Sequence, residues 1–201
     1  MAKIVEYFVV PQSPWTYLGH QRFTAIVNKH HAQVVLKPAD MAQVFAASGG
    51  VPVAQRPAQR QAYRLAELAR WSKFLEIPLN IHPAFFPVAG DPGSKLIIAA
   101  LHQNGSDAAM ALLGALGRAC WAEERNIADP DTLVAVANAI GLDGNELLKY
   151  SASQAATDEL QRNTEQAIAA HVFGVPWYRV DGEEFWGQDR LDFVERALQK
   201  S

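Results

Sequence analysis

The chain has 201 residues, of which 49% are hydrophobic and 9% aromatic, enough to build a sizeable core in one or two domains. Its formal charge of −3, with no run of like charges, lacks the basic field that nucleic-acid binding needs. No apolar stretch reaches the roughly 18 residues of a membrane span, and Met1-Ala2-Lys3 leads directly into a strand pattern without a signal-peptide region; the expectation is a soluble cytoplasmic protein with no membrane partner.

Ile4 to Val10 crowds β-branched and aromatic residues together, as a strand buried on both faces requires. Pro11 stops that ladder. Ser13 then stands at a helix N-cap with Pro14 in the first helical position, and the helix is expected to run to about Lys29. Val34-Val35-Leu36 reads as a second strand, joined to the first by a right-handed parallel crossover. Asp40 caps a short helix bearing Met41, Val44 and Phe45, which ends at Ser48-Gly49-Gly50, and Val51 to Pro57 follows as a loop.

A longer helix is expected from about Pro57 to Leu75, with Leu65, Leu68 and Leu75 at core spacing. Arg56, Arg60 and Arg64 recur every fourth residue on another side and read as a solvated basic face, since nothing local orients them. Pro78 through Asp91 is an irregular apolar loop containing Phe85 and Phe86, either a pocket wall or a clasp between layers. Further helices are expected over 96–102, 108–124, 131–140, 145–150 and 157–171, with Asp129-Pro130 as a start and Gly141 as a stop. This block shows no internal repeat and is expected to fold back on the sheet.

Strands return at 175–180 and 184–186, joined by Asp181-Gly182, a strong two-residue hairpin signal. Gly187 breaks the second of them, and Asp189 opens a closing helix, where a capping carboxylate would by itself explain it.

The chemistry in this pattern centres on Ser13. A serine before proline is an ordinary cap, yet a hydroxyl at a helix start beside unpaired backbone N–H groups also suits an anion or a thiolate. The sole cysteine, Cys120, lies in a helical stretch and reads as a buried structural thiol, so the protein cannot perform dithiol–disulfide exchange by itself. The histidines make no i,i+4 pair, so no metal site is expected. A Ser-His-Asp hydrolase is disfavoured because Ser13 precedes proline and no Gly-x-Ser-x-Gly elbow is present.

Three segments, Ser13-Pro14-Trp15-Thr16, Gly174-Val175-Pro176 and Trp186-Gly187-Gln188-Asp189-Arg190, together resemble the thioredoxin fold, with Ser13 and Thr16 where a Cys-Pro-x-Cys motif carries its cysteines. With Leu68-Ala69-Arg70-Trp71 and Ile77-Pro78-Leu79, the whole chain is similar to the 2-hydroxychromene-2-carboxylate isomerases, relatives of kappa-class glutathione transferases and of DsbA-like oxidoreductases. The resemblance implies an α/β thioredoxin-like fold with a large all-helical insertion. The thioredoxin-like part would be residues 1–40 and 172–201, with part of the helix at 157–171, and the insertion residues 41–171.

The resemblance further implies glutathione as cofactor, with Ser13 catalytic and holding its sulfur as thiolate. Val175 and a cis Pro176 would pair with the tripeptide backbone, and Trp186, Gly187, Gln188 and Asp189 would hold its γ-glutamyl end. The substrate would be a small aromatic acid, isomerised in the catabolism of aromatic compounds by a homodimer. Substrate-binding positions carried over in the same way are Gly50, Val51 and Phe86. One departure stands out: the isomerases carry an Asn in a Gly-Asn setting where this chain reads Gly49-Gly50, which leaves the substrate open. Two alternatives remain. One is a kappa-like glutathione transferase or peroxidase; the other is a non-catalytic thioredoxin-fold module that binds an extended peptide.

Overall fold

The computed structural model describes residues 2–200. Strand β1 (Ile4–Val9) lies between β2 (Gln33–Pro38), which runs parallel to it, and β3 (Trp177–Val180), which runs antiparallel. The fourth strand, β4 (Glu183–Trp186), pairs antiparallel with β3 at the edge. Between β3 and β4, Asp181 at φ 49° and Gly182 at φ 85° form the tight turn that the Asp-Gly pair demands.

The alternation of β1 feeds two apolar clusters. Val5, Tyr7 and Val9 point into the larger, while Phe8 points to the opposite face and packs with Met41, Val44, Ala167 and Trp177. Helix α1 (Pro14–Lys29) lays Leu18, Phe23 and Val27 on the larger cluster. There Tyr7 stacks on Tyr178 with ring centroids 5.0 Å apart, and Phe23 tilts against both at 4.4 and 4.8 Å. Such pairs add about 0.5–1.5 kcal/mol each beyond their buried area. They also fix α1 over the β1–β3 seam, which places Ser13 beside the start of β3.

Helix α2 (Met41–Ser48) is capped as its sequence requires: the Ala42 N–H donates to Asp40 Oδ1 at 2.8 Å, and Gly49 closes the helix at φ 72°. The helical block comprises α3 (Ala58–Leu75), α4 (Asp91–Asn104), α5 (Ser106–Trp121), α6 (Pro130–Ala139), α7 (Gly144–Ser151) and α8 (Gln154–Ala169). It does fold back on the sheet, because Leu96, Leu112, Leu116 and Trp121 join the same cluster as Val5, Tyr7 and Tyr178. Two of these helices start earlier than their apolar periodicity suggests. Pro92 sits in the first turn of α4, and Ser153 caps α8, its hydroxyl accepting from the Ala156 N–H at 3.2 Å. The chain is a DsbA-like thioredoxin fold, a mixed four-stranded sheet carrying a helical insertion, closed by α9 (Leu191–Gln199).

Candidate active site

Ser13 adopts the extended conformation of an N-cap (φ −75°, ψ 121°), and its Oγ accepts the Thr16 N–H at 3.2 Å. The Ser13 hydroxyl donates across the fold to the Val175 carbonyl at 3.4 Å, a long bond that is easily redirected. The Val175–Pro176 peptide is cis. Thr16, in the place of a second cysteine, is buried with its Oγ1 unpartnered among the described residues. A hydroxyl pair therefore stands at the head of α1 where the resemblance puts thiols.

The loop after β4 is drawn onto this corner by three ties. The Gly187 N–H donates to the Pro176 carbonyl at 2.9 Å, joining the Trp186–Arg190 segment to the Val-Pro edge. Gln188 is buried, and Arg22 of α1 donates to its backbone carbonyl at 3.0 Å and also to its side-chain amide oxygen. Gly187 sits at φ 102°, and a side chain there would lie 2.5 Å from Asp189 Oδ1, so glycine is required. Asp189 does not cap the closing helix as its sequence position suggests. It lies in a short 3-10 turn (Gln188–Arg190) ahead of α9, whose N-cap is Arg190 with no side-chain cap bond. This leaves the Asp189 carboxylate exposed, in an ion pair with Arg190 at 3.0 Å.

A cleft of about 630 Å³ opens between this segment and α3. Trp15, Val175 and residues 186–190 form one side, and Arg56, Gln59, Arg60, Tyr63, Arg64, Glu67 and Trp71 form the other. Ser13 is 7% exposed and does not itself line the cleft; it touches Val175, which does.

Two of the three arginines do not belong to a solvated face as their sequence context suggests, while Arg60 is exposed. Arg56, just ahead of α3, and Arg64 on it are half-buried and line the cleft. Arg56 is held by its Nε–H donating to the Val51 carbonyl at 2.8 Å. Arg64 lies over the rings of Phe86, at 5.2 Å, and Trp121, at 5.8 Å. Burial holds both guanidiniums below their ordinary pKa, and neighbouring arginines add to the effect.

Of the positions carried over for a substrate, none lines the cleft. Gly50 and Val51 lie in the turn after α2, with Val51 exposed. Phe86 packs on Trp121 with ring centroids 4.7 Å apart and supports Arg64 from behind, so the loop around it is a clasp. Sequence reasoning missed Arg22, whose partner Gln188 lies 166 residues away, and it undervalued Tyr63 and Trp71. Cys120 is buried in the core and its thiol is pushed up to about 12 by burial, so it is no nucleophile.

The model of the DSBA-like thioredoxin domain matches residues 3–199. The chain belongs to the DSBA-like thioredoxin family. Within that family it is 30% identical over 199 residues to the 2-hydroxychromene-2-carboxylate isomerase of Sphingobium xenophagum, with 98% of this chain and 99% of that protein covered. It is 23% identical to glutathione S-transferase kappa 1 of Homo sapiens, over 98% of this chain and 92% of that one. A solved 2-hydroxychromene-2-carboxylate isomerase superposes with a TM-score of 0.81 at 27% identity, covering 97% of this chain and 94% of the other. This DSBA-like chain is thus an enzyme of the isomerase branch, related to the kappa transferases. Among its described residues no helix is long and apolar enough to cross a membrane.

Proposed function

We propose that the chain is a glutathione-dependent isomerase of the 2-hydroxychromene-2-carboxylate type, acting in the cytoplasm on a small aromatic acid and, as the family resemblance suggests, working as a homodimer. The observation that carries this reading is the Ser13 hydroxyl at the head of α1, bonded to the Val175 carbonyl at the edge of a cleft, in a protein whose own thiol is buried. A sulfur used there must come from another molecule.

The residues present fit glutathione. The tripeptide carries an ammonium, two carboxylates and a thiol, and the cleft offers the exposed Asp189 carboxylate to the first and guanidiniums to the second. Bound there, glutathione supplies a nucleophile that can add to an unsaturated carbon and leave again unchanged. Ser13 would turn its O–H from the weak Val175 bond toward that sulfur. The N–H groups of the first turn of α1 favour the charged form by the same helix-dipole effect. Val175 offers backbone groups for pairing in the manner of an added strand. Gln188, fixed by Arg22, and Gly187 shape the wall that receives the γ-glutamyl end. Trp15, Tyr63, Trp71 and Trp186 give an aromatic substrate its stacking surfaces.

The test is turnover of 2-hydroxychromene-2-carboxylate with reduced glutathione, measured together with the glutathione remaining. An isomerase forms product while the thiol stays constant. One observation favours a second reading, that of a kappa-like transferase or peroxidase: Gly49-Gly50 replaces the isomerases' Asn and stands away from the cleft. Glutathione consumed in step with product selects that reading, and no glutathione binding by calorimetry selects a peptide-binding module.

A further inference from the structure

We propose that the α3 wall of the cleft, through Arg56, Arg60 and Arg64, selects a substrate with two acidic groups on one aromatic frame, an aromatic dianion. This inference rests on the role of the cleft in the function proposed above and assigns it a relative of the monoacid 2-hydroxychromene-2-carboxylate that carries a second acid group.

Charge pairing carries the argument. Two carboxylates line the cleft, and each already has a partner: Glu67 pairs with Arg70, and Asp189 pairs with Arg190. Arg56, Arg60 and Arg64 make no ion pair among the described residues. Arg60 and Arg64 stand one turn apart on α3 and Arg56 lies just ahead of it; these three neighbouring cations repel one another, and the protein supplies no anion to relieve them. An occupant of the cleft must do so. Glutathione's two carboxylates do not exhaust the cations, because four guanidiniums line the cleft, those of Arg56, Arg60, Arg64 and Arg190.

The spacing sets the geometry of the ligand. Arg60 and Arg64, four apart on α3, are separated by about 6 Å along its axis, so their guanidiniums match two carboxylates held apart by a planar ring. Arg56 and Arg64 are already oriented, by the Val51 carbonyl and by the Phe86 and Trp121 rings. Arg60 is exposed and makes no ion pair among the described residues, free to close on an acid group in the bidentate fashion that guanidinium allows. Tyr63 and Trp71 continue the same wall and offer faces to the ring.

Calorimetry at low ionic strength tests this with benzoate, isophthalate and reduced glutathione as probes of the wild type and of Arg60→Gln. Arg60 is exposed, so the variant keeps its fold, and an unchanged melting temperature verifies this. The wild type is expected to bind isophthalate at least about tenfold tighter than benzoate, in line with one added charge-assisted contact. Arg60→Gln is expected to erase that preference and to move glutathione affinity less than about threefold. Equal affinity of the wild type for the two aromatic acids overturns the proposal. So does a variant that loses glutathione while keeping the isophthalate preference, because Arg60 would then serve the tripeptide. A wild type that prefers isophthalate but does not bind glutathione upholds the dianion site and defeats the glutathione-dependent reading instead.

Discussion

Gly19 of α1 and Gln188 of the loop after β4 touch so closely that a β-carbon at residue 19 would lie 2.7 Å from the Gln188 β-carbon. No real β-carbon tolerates that separation, and the obstruction is the base of the Gln188 side chain, which cannot swing aside. Gly19→Ala should therefore push the 186–190 segment outward. Overpacking of this kind costs about 1–3 kcal/mol. Denaturant titration reads the stability loss, and calorimetry should show glutathione binding weakened more than in a surface control such as Gln199→Ala.

Ser13→Ala removes both the cap bond to Thr16 and the hydroxyl that faces Val175. The cap is worth about 1 kcal/mol, so melting should change little, whereas turnover should fall at least about tenfold. Undiminished turnover in a folded variant would take the hydroxyl out of the mechanism.

His20 sits between α1 and α5, close to Gly114, and burial pushes its pKa down to about 4 from the usual 6.5. The folded protein keeps this ring neutral while the unfolded chain protonates it, so the unfolded state binds more protons between those two values. Stability should accordingly fall as pH drops from 6.5 toward 4, by at most about 1.4 kcal/mol per unit from this group. Urea titrations across that range measure the slope, and His20→Phe should flatten it.

Cys120 should ignore a thiol reagent in the native state, since it is 2% exposed and its thiol is pushed up to about 12. Titration with an aromatic disulfide should count no thiol in buffer and one in denaturant. Glutathione-dependent activity surviving that treatment would confirm that the protein contributes no sulfur of its own.

What the sequence disclosed and what it withheld follow from the range of the interactions involved. The Ser13 cap, the Asp181-Gly182 turn and the doubly buried β1 are local: each is written within a few adjacent residues and is borne out in the structure. The thioredoxin arrangement was legible because three short segments coincided in one chain. The burial of Arg56 and Arg64 was not legible because spacing along the chain says which residues can share a side but not what that side meets. The sequence position of Asp189 suggests a cap because the 3-10 turn ahead of α9 has no sequence mark. Arg22 could not be found at all, since its partner enters from the far end of the chain.

Helix α3 has one fully buried residue, Leu68, whereas α1 and the loop it touches are locked by glycine, aromatic stacking and the Arg22 bonds. The half of the cleft that would handle sulfur is thus rigidly built into the sheet and its first helix. The half that would read the substrate hangs on a lightly anchored element. Exchanging residues along α3 should therefore retune which compounds are accepted at small thermodynamic cost, and a set of homologous enzymes could diverge in diet while sharing one chemistry.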